Sequence, residues 1–310
     1  MTDPLRRLPG ALAKKSARRE DGSVRILLDA KDLIDLIEFN RPVDVAALDA
    51  WLKQKGATLV LSLTNVSDFV GPVFDGGDFL KMRVLLQKLE NRPLTYIREG
   101  LIIRDELSLA LAAYQAGQEP SSLHPYVSRW DETAHWEGES AAKILVGLRL
   151  DEIVYMARGA IQGYKRHAAG LRAQILGERQ LPASERLPLQ NIFINAIPKR
   201  LADHGMYVPK IDLRVFGQWL WRVPSRCLGL RLQFEAYHHL LRDKSTAFQD
   251  GDIADFAHIA ALPYTDFLTV DKRIADLLRN VFQRLRQCEA RADLSGRVFK
   301  KLGDLLAAFP

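Results

Sequence analysis

Short apolar runs alternate with stretches of helical spacing through the first hundred residues. Val24, Ile26, Leu27 and Leu28 form a run that stops at Asp29, which predicts a buried strand. Leu33, Ile34, Leu36 and Ile37 then recur at helical spacing, so a helix follows, with Asp32 and Asp35 expected to face solvent. Val45, Leu48, Trp51 and Leu52 repeat that spacing over residues 44–55, and Gly56 supplies a stop. Residues 58–63 are a second β-rich run, with a turn or helix start over 65–70. Residues 79–89 read as a further amphipathic helix, and 94–97, after Pro93, as a third strand.

The middle, residues 101–210, changes character. Helical patterns dominate residues 107–115, 141–158 and 161–176, and 182–188 read as a linker or exposed bend. The last third returns to mixed character. Residues 228–241 predict a helix, and Asp252 opens another that Pro263 ends. Residues 267–270 are a short strand ending at Asp271, followed by a closing helix over 274–285. The expectation is an α/β fold in which a parallel sheet is flanked by helices and carries a mostly helical insertion. Four segments follow: a basic lead (1–22), a first half of the α/β core (23–100), the helical insertion (101–210), and a second half with C-terminal helices (211–310).

Composition narrows the setting. No apolar run approaches the ~18 residues that cross a bilayer, so no membrane is expected. Two cysteines, Cys227 and Cys288, lack metal-ligand spacing and make no disulfide framework, which points to a reducing cytoplasm. The net charge of +6 is unevenly placed. Residues 1–25, 196–235 and 279–301 together carry +13, leaving −7 for the remainder. Basic segments around an acidic remainder suit attraction of a polyanion by a protein that keeps its carboxylates for a metal, although charge alone is explained as well by solubility.

Candidate chemistry concentrates in Asp252-Ile-Ala-Asp255-Phe-Ala-His258 and the following Pro263-Tyr264-Thr-Asp266-Phe-Leu-Thr-Val-Asp271-Lys-Arg273. Asp252, Asp255 and His258 are one turn apart on a helix face, and Asp271 stands at the carboxyl end of a strand. Acids gathered this way repel unless a cation is bound, and hard oxygen donors suit Mg²⁺ or Mn²⁺. Asp252 is also a helix cap by position.

The order strand–Asp–helix, strand–Ser/Thr–acid, helix Asp, strand–Thr-x-Asp resembles the PIN-like superfamily of metal-dependent nucleases. The segment 252–273 is similar to the C-terminal signature of its longer bacterial members. The resemblance covers about residues 24–97 and 225–285. It implies that Asp29, Asp68, Asp255 and Asp271 are catalytic and ring a divalent ion, with Asp252 and Asp266 as additional ligands. Asp68, in Ser62-Leu63-Thr64-Asn65-Val66-Ser67-Asp68, stands where the family more often has Glu. Ser62 and Thr269 are candidates to orient a ligand or the attacking water, and His258 to hydrogen-bond a ligating carboxylate.

The implied activity is endonucleolytic hydrolysis of phosphodiester bonds, in RNA rather than DNA. Lys272 and Arg273 beside Asp271 are candidate phosphate contacts. Lys199, Arg200, Lys210, Arg214, Arg222 and Arg226 are candidate backbone contacts, with Tyr207, Trp219 and Trp221 as candidate stacking faces between them, although core or interface packing is the commoner role for the two tryptophans. The alternative is a PIN-like protein with a weakened site that binds nucleic acid or a protein partner, and a second copy of the chain is left open as that partner. A phosphatase-type enzyme fits worse, because Asp29-Ala30-Lys31 lacks the second acid of an Asp-x-Asp pair.

Overall fold

The computed structural model describes residues 23–37, 42–62, 64–65, 88–89, 91–127, 187–208, 210–242 and 252–309, with isolated positions between 166 and 177. The predicted helices over 79–89, 141–158 and 161–176, and Asp68, fall largely or wholly outside these residues.

Six strands form one sheet in the order β4-β3-β2-β1-β5-β6. They are β1 (Val24–Leu27), β2 (Ala57–Ser62), β3 (Leu94–Ile97), β4 (Tyr126–Val127), β5 (Phe267–Thr269) and β6 (Val298–Phe299). All neighbours run parallel except β3 and β4. The parallel sheet expected from the alternating pattern is present. In register, Leu27 lies beside Val60 and Leu268, and Ser62 beside Ile97. From β1 the chain winds outward through β2 and β3, then returns to lay β5 on the other side of β1. That reversal is the switch point of the sheet, where parallel α/β folds open a crevice at their carboxyl edge.

The strands bury side chains on both faces, as parallel strands do. Ile26, Leu28, Leu59 and Leu61 point to one face, against helices α1 (Ala30–Ile37) and α2 (Pro42–Lys55). Leu27, Val60 and Leu268 point to the other, against a second set of helices. The period of two is the physical reason that one short run serves two cores. At about 1.5–3 kcal/mol for each fully buried aliphatic side chain, these strands stabilise the fold out of proportion to their length. Gly56, at φ 58°, ends α2 in the left-handed conformation that turns the chain into β2.

The remaining helices are α3 (Ile102–Ala116), α4 (Leu189–Asp203), α5 (Leu213–Arg222), α6 (Leu228–Arg242), α7 (Asp252–Ala261), α8 (Lys272–Cys288) and α9 (Leu302–Ala308). Helices α6, α7 and α8 cover the second face of the sheet. Behind them α3, α4 and α5 build a further apolar cluster with Phe193, Phe216, Leu220 and Phe234. That cluster runs across residue 210, so α5 and α6 pack with the helical middle as well as with the sheet.

A buried carboxylate joins the helical layer to the sheet. Glu106 of α3 accepts the backbone N–H groups of Gly229 and Leu230, at 2.7 and 2.8 Å, and the Tyr264 hydroxyl. It thereby satisfies the first turn of α6, whose N–H groups have no partner within their own helix. Burial pushes its carboxyl pKa up, opposed by those three donors. A Cβ at Gly229 would meet the Ala260 carbonyl oxygen at 2.5 Å, so only glycine allows α6 and α7 this approach. No helix among the described residues is long and apolar enough to cross a membrane.

Candidate metal centre

The carboxyl edge of the sheet gathers polar side chains from four strand ends. Asp29 follows β1 and opens α1, its backbone carbonyl accepting the Leu33 N–H at 3.0 Å. Asp271 lies just beyond β5 and caps α8, one carboxylate oxygen accepting the Ile274 N–H at 2.7 Å. Both acids sit at helix N-termini, where the helix dipole favours negative charge. Thr269 ties the two ends together. Its hydroxyl oxygen accepts the Asp29 N–H at 2.8 Å, and its proton goes to the Asp32 carboxylate. Asp32 also accepts the Leu302 N–H and is half-buried; the expectation that it faces solvent is corrected by these two bonds.

The electrostatics follow from this crowding. Burial raises the Asp29 pKa most, and the Asp271 charge raises it further, while His258 and the Ala30 N–H pull it down. Burial likewise raises Asp32, with the Asp29 and Asp35 charges adding to it against the Thr269 and Leu302 bonds. A carboxylate whose ionisation is opposed by burial and by a neighbouring acid is a charge arrangement that a bound cation would relieve.

Ser62, at the end of β2, and Asn65 lock together. The Asn65 carbonyl oxygen accepts both the N–H and the hydroxyl of Ser62, each at 3.1 Å, and the Ser62 hydroxyl oxygen accepts the Asn65 N–H at 3.1 Å. Asn65 then donates to the Leu28 carbonyl, one residue before Asp29, at 3.1 Å. His258 of α7 is buried here, its Nε2 lying 3.4 Å from Asn65 Nδ2 and 3.6 Å from a carboxylate oxygen of Glu99. Asp255, one turn earlier on α7, faces Arg273 of α8 at 3.7 Å.

Asp266 stands apart. Its carboxylate accepts the Arg25 N–H at 2.9 Å, and its own N–H goes to the Arg25 carbonyl, so it extends the ladder at the amino end of β5. A ligand role at the carboxyl edge is corrected by that placement, since β1 separates Arg25 from Asp29. The Asp252 side chain lies outside the described residues, as does Asp68.

Several of the expected nucleic-acid contacts are already occupied within the chain. Arg226 pairs with Glu119, donates to the Trp219 carbonyl and stacks 4.0 Å over the Trp219 ring. Arg231 covers Trp221 at 3.3 Å. These contacts favour the packing role expected of the two tryptophans over that of open stacking faces: each is packed against a cation of its own chain. Lys199 pairs with Asp203 at 2.7 Å on the α4 surface. Arg222, Lys210 and Tyr207 are exposed, Arg200 is half-exposed, and Lys272 is exposed beside the acids.

Oxygen donors predominate at this edge, which fits a hard divalent cation in type. Among the described residues, however, no group of three or more His, Cys, Asp or Glu is arranged closely enough to hold a metal. Asp29 and Asp271 by themselves do not make such a group among the described residues. Two polar groups escaped the sequence reading. Asn65 was passed over as part of a turn, although its Ser-x-x-Asn spacing is a capping signal. Glu99 had no motif around it; its only signal was its place two residues past a strand. Comparison with family models, with curated proteins and with solved structures gives no match to this chain.

Proposed function

We propose that this protein is a metal-dependent endonuclease that hydrolyses phosphodiester bonds, with RNA as the favoured substrate. The observation that carries the reading is the placement of Asp29 and Asp271 past the ends of β1 and β5, at the switch point of the sheet, where the Asp271 charge adds to burial in raising the Asp29 pKa. The strand order and the placement of the acids support the PIN-like resemblance of the sequence.

In this reading Asp29 and Asp271 hold a Mg²⁺ or Mn²⁺ ion, with Asp68 and Asp255 as further ligands. When bound, that ion supplies the Lewis acidity that phosphodiester hydrolysis at neutral pH requires. Thr269 fixes the backbone of Asp29, and Asp32 fixes Thr269. A carboxylate of this edge would order or deprotonate the attacking water. Lys272 and Arg273, at the start of α8, supply positive charge for the phosphate, and Arg273 exchanges its contact with Asp255 for one with substrate.

The test is cleavage of labelled single-stranded RNA and DNA with Mn²⁺ or Mg²⁺, comparing wild type with Asp29→Asn and Asp271→Asn. Cleavage that a chelator abolishes and that both substitutions reduce by about 100-fold or more supports the reading. A second reading, a nucleic-acid- or partner-binding protein with a weakened site, is favoured by the lack of a third close ligand among the described residues. It predicts no cleavage, and binding that neither substitution changes.

A further inference from the structure

Away from the acids, the helical layer ends in a cluster of cations. On α4, Arg200 stands two turns after Phe193 on one face of the helix; on α6, His238 and Arg242 stand one and two turns after Phe234. The Phe193 and Phe234 rings meet at 5.0 Å, and the His238 ring lies 4.3 Å from Phe234. Beyond these aromatic contacts the two helices approach through basic side chains. His238 is 4% exposed, and its Nδ1 has no hydrogen-bond partner among the described residues. Burial, then the Arg242 and Arg200 charges, hold its pKa low, and no carboxylate among the described residues acts against them.

Ordinary helix chemistry accounts for part of this. Arg200 and Arg242 lie in the last turns of their helices, where the dipole favours a cation, and both are half-exposed. That explains each arginine singly, but not why two cations from different helices converge on a buried imidazole. A buried ring nitrogen without a partner calls for an ion or another ligand, and between two positive charges that ion is an anion. His204, at the end of α4, and Arg104 of α3 continue the row, since the Arg200 and Arg104 charges add to burial in lowering the His204 pKa. There Asp203 and Asp105 oppose them, so the excess of positive charge falls at the His238 end.

The cluster lies toward the acidic end of the molecule. Glu235 of α6 pairs with Arg284 of α8 at 3.3 Å, and His239 meets Asn280 at 3.5 Å. These contacts run α6 antiparallel to α8, so its Arg242 end points toward the start of α8, where Lys272 and Arg273 follow Asp271. We propose that Arg200, Arg242 and His238 form a phosphate-binding site on the helical layer, and that the phosphate belongs to a nucleic-acid strand. The site rests on the nucleic-acid part of the reading above and needs neither a metal nor cleavage. The two guanidinium groups neutralise the phosphate and donate to its oxygens, and the neutral imidazole adds one N–H.

The experiment is fluorescence anisotropy of a labelled single-stranded RNA with the full chain, in chelator so that nothing is cleaved, over a series of salt concentrations. Wild type is compared with Arg200→Gln, Arg242→Gln, His238→Phe and Lys53→Gln, the last an exposed charge on α2, across the sheet. Each arginine variant should bind about 10-fold more weakly. Each should also lower the slope of log affinity against log salt by about 0.7, the share of one phosphate contact on a single strand. His238→Phe keeps a ring against Phe234 and should weaken binding with the slope unchanged, because it removes a neutral donor. Lys53→Gln should match wild type. Inorganic phosphate equimolar with the RNA should displace nothing; displacement would overturn the strand as occupant. Wild-type affinity and slope in either arginine variant overturn the site and leave the nucleic-acid reading in place. If Arg242→Gln does not fold, Arg200→Gln decides alone. A wild-type chain that binds no RNA brings down the nucleic-acid reading and this site with it.

Discussion

Two buried glutamates seven residues apart meet opposite fates. Glu106, in the junction between the helical layer and the sheet, receives two backbone N–H groups and a tyrosine hydroxyl. Glu99, at the carboxyl edge, receives no hydrogen bond on either oxygen from the described residues. Both are nearly inaccessible, at 3% and 5% exposure, so burial does not distinguish them. Satisfaction does. A carboxylate with every acceptor used holds a fold together, whereas one left wanting weakens it and is explained by what lies beside it.

The largest effect that would sharpen this contrast is at Glu106. Glu106→Ala strands three donors inside the protein and is expected to destabilise it by about 3 kcal/mol, read from urea unfolding midpoints. Gly229→Ala attacks the same junction from the other side, pressing a methyl group on the Ala260 carbonyl. Its expected cost is about 2 kcal/mol, and an effect below about 0.5 kcal/mol would show that α6 and α7 can part freely.

His238 of α6 carries the contrast into acid solution. Its Nδ1 is buried without a partner among the described residues, and burial, then the Arg242 and Arg200 charges, push its pKa down to about 4 from 6.5. The unfolded chain therefore takes up a proton that the folded one refuses. Stability present above pH 6.5 is lost as the pH falls toward about 4. His238→Phe should flatten that part of the stability–pH curve; an unchanged slope would mean that other groups set it.

Glu99→Gln should run the opposite way to Glu106→Ala. Replacing a buried carboxyl group that has no hydrogen-bond partner among the described residues is expected to leave stability unchanged or raise it by about 1 kcal/mol, which a thermal melt at neutral pH will read. A loss as large as that of Glu106→Ala would erase the distinction between the two glutamates. Least of all, Lys199→Ala breaks a surface pair open to water and should stay within about 0.5 kcal/mol of wild type.

The same contrast explains what could be read from the sequence. Strands β1, β2, β3 and β5 announced themselves because both of their faces are apolar, and Asp29 and Asp271 were visible as the first acids past two of those runs. Strands β4 and β6 were not foreseen. Each is two residues long and owes its state to a neighbour, Tyr126 and Val127 to β3, Val298 and Phe299 to β5. Helices α5 and α9 were also missed. Phe216 and Leu220 of α5 face inward while Trp219 and Trp221 sit half-exposed on Arg226 and Arg231, which blurs the apolar stripe.

Asp266 was misplaced for a reason the sequence did contain. It precedes its strand where Asp271 follows it, and parallel strands put those two positions on opposite edges. Glu99 was invisible because its meaning depends on His258, far along the chain. Asp32 was assigned to solvent from helix spacing alone, without the Thr269 hydroxyl that arrives from β5.

That arrival has a consequence for how the protein is made. Asp29 and Thr269 are 240 residues apart, and β1 completes its pairing only when β5 lies beside it. At about 5–20 residues per second, a ribosome needs roughly 10–50 s to go from the first to the second. Through that interval the growing polypeptide carries β1 with one flank unpaired and no assembled acidic edge. No nascent fragment ending before β5 can present that edge, with Asp29 and Thr269 joined, to anything around it.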